Sequence, residues 1–279
     1  MKQYRFSILL STSLAAPFLA PSVLAQSTDI SHNVFSQVGY AQAEQGSLSE
    51  TTSKSILLTG YLKEVDHGKH PYTQAPFLER AASVTLAYVD VNSNNSFFGS
   101  SRGDVSALDV QYVTEEHWVV GGGFSRNKIE GVFEDDSTSL TVGRYLDDSS
   151  RVLLSYKDSD KALMWGDSSH TYTYGVEYKN AVINVRGSAL TLDMKANRID
   201  APEGDSNLFS LDGEYHFTLG SSVTLGAQLV SGYDESQEYS VGLNHFVTRF
   251  FALGVEYTRH DPADKESIDT ANIYTRLLF

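Results

Sequence analysis

The sequence predicts an all-β fold: a transmembrane, antiparallel, up-and-down β-barrel of about 14 strands, with 12–16 compatible with the same pattern. Three observations predict it. Segments of about ten residues alternate apolar and polar side chains, as strands with one apolar face do. The links between them are short at one end of the strands and longer and more polar at the other. The last segment, 270–279 (TANIYTRLLF), is itself such a strand and ends on an aromatic residue. Counting back by twos from Phe279 gives Leu277, Thr275, Ile273 and Ala271, while the other parity gives Leu278, Arg276, Tyr274 and Asn272. Successive side chains on a strand point to opposite faces, so one face is mostly apolar and the other carries a charge, a phenol and an amide.

The first residues stand apart from this pattern. Lys2 and Arg5 precede an apolar, small-residue run from Phe6 to Ala20, and Val23-Leu24-Ala25 has the form of a cleavage site. Residues 1–25 read as a secretory signal peptide, removed near Ala25. A lone membrane anchor is the competing reading, but the run is short for one, is broken by Pro17 and Pro21, and leads at once into polar sequence.

The remaining 26–279 is one large domain. The chain has no cysteine, so disulfides play no part even in an exported protein. Tyr (16) and Phe (14) are plentiful, as a barrel with aromatic girdles requires. Net charge is −14; removing Lys2 and Arg5 with the leader makes it −16. No basic stripe exists, which excludes nucleic acid as a partner.

Taken in order, strands are expected at 33–43, 54–65, 82–91, 105–114, 117–127, 137–146, 150–159, 170–180, 187–198, 207–217, 222–232, 237–246, 250–260 and 270–279. In the eighth, Tyr172, Tyr174, Val176 and Tyr178 alternate with Thr171, Thr173, Gly175 and Glu177. In the thirteenth, Phe251, Leu253, Val255 and Tyr257 alternate with Ala252, Gly254, Glu256 and Thr258. Segments 54–65, 137–146 and 180–190 break strict parity. Longer links are expected at 44–53, 92–104, 128–136, 160–169, 199–206 and 261–269. Residues 66–81 (DHGKHPYTQAPFLERA) are too long for a turn at the short-link end. They are expected to form a small plug or short helix at that rim. A soluble β-sandwich would share the alternation, but not the leader, the terminal Phe or the asymmetry of the links.

These features carry a resemblance. The leader, residues 76–88 (PFLERAASVTLAY), the run of short strands and the final Phe279 resemble the general porin family of Gram-negative bacteria, over the whole of 26–279. The resemblance implies an outer-membrane channel for passive diffusion of small hydrophilic solutes and ions, with no cofactor and little said about the solute. It implies that Phe279 is the signal read by the barrel-assembly machinery. The expected surroundings are outer-membrane lipid and lipopolysaccharide.

Parity assigns the residues that would line the bore. If Tyr172, Tyr174 and Val176 face lipid, then Asp109, Gln111, Arg151, Lys157, Glu177, Lys179, Asp193, Lys195, Asp212, Glu214, Glu238, Glu256 and Arg276 face inward. A Lys or Arg facing hydrocarbon would cost roughly 2–4 kcal/mol at mid-membrane. Seven acids against five bases give an expectation of weak cation preference. The alternative is that these groups pair with one another and fill a narrow barrel; fourteen strands lie between the filled eight and the open sixteen.

Gly121-Gly122-Gly123 lies mid-strand, with no following helix or Lys, so it is no phosphate loop. Gly123, Gly143, Gly175, Gly226, Gly242 and Gly254 either keep the bore clear or let the wall curve. An enzymatic barrel of lipase or protease type finds little support: no Gly-x-Ser-x-Gly and no His-Glu-x-x-His occurs. His216 beside Glu214 is a base-and-orienter pair only in principle, and a bore salt bridge by default. His67 and His70 around Lys69 read as a solvated turn and not a metal site. A structural or adhesin barrel without a pore is opposed only by the inward charges. Three far-end segments are acidic: Glu130, Glu134, Asp135 and Asp136; Asp200, Glu203 and Asp205; Asp261, Asp264, Glu266 and Asp269. Divalent cations could bridge them to lipopolysaccharide phosphates; plain solubility explains them as well.

Overall fold

In the computed structural model the described residues are 31–45, 49–66, 70–95, 99–131, 133–163, 168–183, 188–233, 235–263 and 266–279. The expected leader, 1–25, lies outside them. They form fourteen strands and one short helix. The chain runs through β1 (Ser31–Gln45), β2 (Ser49–Asp66), α1 (Ala75–Leu78), β3 (Ser83–Asn95), β4 (Gly99–Val113) and β5 (Trp118–Ile129). It continues through β6 (Phe133–Tyr145), β7 (Ser150–Leu163), β8 (Ser168–Ile183), β9 (Ala189–Asp200) and β10 (Ser206–Thr218). It ends with β11 (Ser221–Gly232), β12 (Ser236–Phe246), β13 (Phe251–Pro262) and β14 (Ile268–Leu278). Each strand pairs antiparallel with its sequence neighbours, and β14 returns to β1, so the sheet is a closed barrel. Closure removes the unpaired edges an open sheet would present.

The seam is continuous. Phe35 faces Leu278 at one end of it and Glu44 faces Asp269 at the other. The terminal Phe279 completes it: its N–H donates to the Val34 carbonyl (2.9 Å), and its own carbonyl accepts from Asn33 (2.9 Å) and Val34 (3.0 Å).

The outer surface is inverted relative to a soluble protein. Val38, Leu86, Val120, Leu140, Leu154, Val176, Leu211, Leu225, Val241 and Ile273 are exposed around the middle of the wall. Above them runs a belt of outward aromatics: Tyr40, Tyr88, Phe124, Tyr156, Tyr174, Phe209, Tyr239 and Tyr257. Below them Tyr112, Trp118, Tyr178, Tyr215, Phe217 and Phe250 form a second. In the lower belt the Arg144 guanidinium lies 5.6 Å from the Trp118 ring, keeping its charge at the rim of the apolar band.

One expectation is corrected by the length of the strands. The links read as long polar loops are mostly ladder. β5 and β6 stay paired out to Ile129 and Phe133, and β7 and β8 out to Ala162 and Ser168. A membrane needs only about 9–11 residues per strand, whereas β2 has 18 and β4 has 15. The surplus carries the wall beyond the apolar band. There the outward side chains are charged, and ion pairs hold them: across strands Arg126 donates to Asp136 (2.7 and 2.8 Å) and Arg102 to Asp90 (3.0 and 3.1 Å), while Arg259 donates along its own strand to Asp261 (3.0 and 3.2 Å) and lies 3.8 Å from Asp269 on β14. A strand polar on both faces has no hydrophobic period to read.

The parity breaks resolve similarly. On β2, pairing with β1 slips between His32–Val65 and Val34–Gly60, so residues 61–64 bulge out of that ladder. On β6 the alternation is regular, but Thr138 and Arg144 stand on the outward side and blur it. Residues 184–187, in the third break, lie outside the described residues.

Residues 70–82, the described part of the link between β2 and β3, are built into the bore as a plug with a short helix, while residues 67–69 of the expected plug lie outside the described residues. Residues 71–75 are buried, and α1 follows them with Pro76 in its first turn.

Candidate functional site

The site is the bore, and its lower end is crossed by this strap. At one side of the barrel the Tyr72 ring meets Phe246 edge-on at 5.4 Å, in a cluster with Ala252 and Leu278 from β13 and β14. Burial pushes the Tyr72 phenol above its ordinary pKa, so the ring is neutral under ordinary conditions. Two residues on, Gln74 donates to the Glu214 carboxylate of β10 at 2.7 Å. Toward the other side Phe77 packs with Val119, Tyr145, Leu153 and Ala181, from β5, β6, β7 and β8. The Tyr145 hydroxyl donates to the Phe77 carbonyl at 3.0 Å. Arg80, at φ 53°, ion-pairs with Asp148 at 2.5 Å, and the Lys63 amine donates to the Glu79 carbonyl. The strap is therefore fastened to the wall on opposite sides of the bore.

The thirteen residues selected by parity all stand on the side of the wall opposite the exposed aliphatic band, and so face the bore. Neighbouring strands bring them together in two groups. On β7, β8 and β9, Arg151 donates to Glu177 (2.7 Å) and to Gln111 on β4 (3.3 Å). Lys195 lies 3.8 Å from Glu177 and 3.9 Å from Asp193. Lys179 faces Asp193 across the β8–β9 ladder. The second group, Asp212, Glu214, Glu238 and Glu256 on β10, β12 and β13, is acidic. Glu214 lies 3.2 Å from His216, and Glu238 3.5 Å from His260. Asp109 and Lys157 stand on β4 and β7, opposite Gly123 and Ser139. Arg276 donates to Gln37 (2.7 Å) and lies 4.8 Å from the Tyr274 ring.

Three of the thirteen, Lys179, Glu214 and Arg276, are at most 5% exposed: the strap's Phe77 and Gln74 lie against Lys179 and Glu214, and Phe35, Gln37 and Tyr274 of the wall lie against Arg276. Lys179 and Arg151 sit 5.1 and 5.5 Å from the Phe77 ring, so the basic group is bound to the strap by cation–π contact. The remaining ten keep partial contact with solvent.

The glycines take on a definite part here. A Cβ on Gly254 would stand 2.1 Å from the Tyr274 ring, and one on Gly123 would stand 3.1 Å from the Asp109 carboxylate. The missing side chains let neighbouring inward groups lie flat against the wall.

Sequence reading missed the strap's individual anchors, Tyr72, Gln74, Phe77 and Arg80. A signal was present: Pro71, Tyr72, Pro76, Phe77 and Leu78 put apolar residues into a link at an end where links are otherwise short and polar. Their seats lie far away in sequence and could not be read. Among the described residues, no group of three or more His, Asp or Glu side chains is arranged to hold a metal ion.

No protein-family model and no curated relative matches the sequence. Solved structures do match. The Acinetobacter baumannii outer membrane protein Omp33 is similar at 18% identity and a TM-score of 0.63, over 90% of this chain and 100% of that one. The CymD monoaromatic hydrocarbon channel is similar at 9% identity and a TM-score of 0.57, over 90% of this chain and 89% of that one. A bacterial polysaccharide outer membrane secretin matches at 9% identity and a TM-score of 0.54, over 90% and 100%. At these identities the likeness is one of fold: the chain shares the overall architecture of these outer-membrane proteins.

Proposed function

We propose that the protein is an outer-membrane porin, a channel for passive diffusion of small hydrophilic solutes and ions with a weak preference for cations. One observation carries this reading. A wall whose outside is an apolar band between two aromatic belts encloses an inside with twelve of the thirteen parity-selected residues ionisable. Charges placed so cost least when the bore is wet. The uneven placement, mixed on β7–β9 and acidic on β10–β13, gives the bore a field that favours cations without excluding anions. The strap sets the bore's lower limit, and solute passage requires it to yield at Gln74–Glu214 or at the Phe77 seat.

The strap end, which holds both termini of the barrel, is the periplasmic side, and the extended ladders project outward from the cell. Residues 1–25 act as the leader, cut near Ala25. Phe279 serves recognition by the assembly machinery. The outward carboxylates of the extended ladders meet lipopolysaccharide. Arg126, Arg198 and Arg259 already hold Asp136, Asp200 and Asp261. A bridging divalent cation would therefore take most of its oxygens from lipid phosphates. Liposome swelling tests the channel directly. Vesicles containing the protein should swell in small sugars and amino acids at rates that fall with solute size. Rates equal to those of protein-free vesicles would refute the reading.

A further inference from the structure

Beneath the strap lies a compact set of buried polar groups whose hydrogen bonding is incomplete within the protein. Thr191 on β9, Glu214 and His216 on β10, and Asn244 on β12 are at most 5% exposed. Thr73 and Gln74 of the strap close the set from above. The Thr191 and Thr73 hydroxyls, one oxygen of Glu214, the Gln74 carbonyl oxygen, both ring nitrogens of His216 and both polar atoms of Asn244 make no hydrogen bond within the protein, though His216 Nε2 lies 3.2 Å from Glu214. A buried polar group left unmet is costly, and native interiors carry few of them. Their concentration in one place marks a polar patch that the closed strap covers without satisfying, and that becomes a seat for a polar molecule when the strap lifts.

The chemistry of the seat narrows its occupant. The unmet groups are mostly uncharged and of both kinds: the Asn244 amide N–H, the two hydroxyls and the two His216 ring nitrogens, against amide and carboxylate oxygens. Lys179 and Arg276 are both within electrostatic reach of Glu214, so the seat has no strong excess of either sign. With Gln74 displaced, an anion would meet the Glu214 and Asn244 oxygens, and a cation would meet the Asn244 amide and the two bases. A hydroxyl both donates and accepts and suits every unmet group. Apolar ring faces adjoin: Tyr274, laid flat over Gly254, and Tyr72 against Phe246. A few polar groups beside aromatic faces is the usual make-up of a small-molecule site.

We propose that this seat binds a small neutral sugar, and that the strap competes with it. Gln74 offers Glu214 the donor that a sugar hydroxyl would offer, so the closed strap occupies the seat with its own amide. The inference rests on reading the bore as a solute path. Sugar entering the seat displaces Gln74 and favours the lifted strap.

Saturation-transfer NMR on the purified, folded barrel, titrated with glucose, galactose and xylose, tests it, with heat-modifiable gel mobility confirming the fold of each variant. Saturable binding of at least one sugar is expected. Asn244→Ala should weaken it tenfold or more, and Thr191→Val, which barely changes volume, should weaken it several-fold. Gln74→Ala should tighten it, because the competitor is gone. No saturable binding of any of the three, in a protein that conducts ions, would overturn the sugar seat and leave the channel standing. Binding indifferent to both Asn244→Ala and Thr191→Val would also overturn it. Binding in a protein that never conducts would keep the seat and remove the channel.

Discussion

The Tyr145 hydroxyl donates to the Phe77 carbonyl at 3.0 Å, while the Phe77 and Tyr145 rings pack 5.5 Å apart. A residue of the strap and a residue of the wall are thus fastened through backbone and side chain at once. Tyr145 closes β6 at the rim, beside the turn whose Asp148 holds Arg80. The strap is anchored to the wall by residues 68 positions distant, and its free movement is restricted to what these contacts allow.

Phe77→Ala should release the strap. Truncating a buried Phe costs about 3–5 kcal/mol in a well-packed core, and here the loss falls on a local seat more than on the barrel. Single-channel records should show longer open times than wild type, with unchanged heat-modifiable mobility. Tyr145→Phe removes only the hydrogen bond, worth about 1 kcal/mol, and should give a smaller change in the same direction. Asp148→Ala should change little, because Asp148 is fully exposed and surface pairs contribute little.

Leu140→Arg should impair insertion. Leu140 is 57% exposed at mid-wall on the outward face, where an Arg costs about 2–4 kcal/mol in a membrane. Ser139→Arg, one residue away and facing the bore, should assemble. Equal assembly yields for the two variants would place β6 in the wrong orientation.

Deleting Phe279 should reduce outer-membrane assembly far more than deleting a far-end residue such as Asn94. Its backbone seals three hydrogen bonds of the β1–β14 seam. Quantifying the heat-modifiable species in membrane fractions measures this, and recovery of wild-type protein as a soluble periplasmic species would contradict the barrel's location.

Selectivity should follow the bore charges. Asp212→Asn together with Glu214→Gln should lower the cation preference. Neutralising Lys157, half-exposed on the other wall, should raise it. Arg276→Gln should raise it too, but Arg276 is fully buried against Gln37 and Tyr274, so that variant will also lose stability. All these effects should fade as salt rises, because the Debye length shortens from about 10 Å at 0.1 M to 3 Å at 1 M.

How much of this was legible follows from where each signal is written. Strand number and the inward set were legible because alternation is local: Tyr172, Tyr174 and Val176 fix the sides of Glu177 and Lys179 without knowledge of any partner. The upper third of the wall was not, because Arg126 and Asp136, or Arg259 and Asp261, place polar groups outward where the lipid no longer demands apolar ones. The β2 bulge was legible only as broken parity. The strap was legible as an oversized link, and its anchors were not: the partner of Gln74 is Glu214, 140 residues on. That pairing is set by barrel closure and by no local pattern.

The most direct test of the central claim is conductance across a planar lipid bilayer with a salt gradient, for wild type and Phe77→Ala side by side. Stepwise ion currents, a small zero-current potential of cation sign, and a higher open fraction in Phe77→Ala are the expected result. A bilayer silent with both proteins, each shown to be folded and inserted, would contradict the channel.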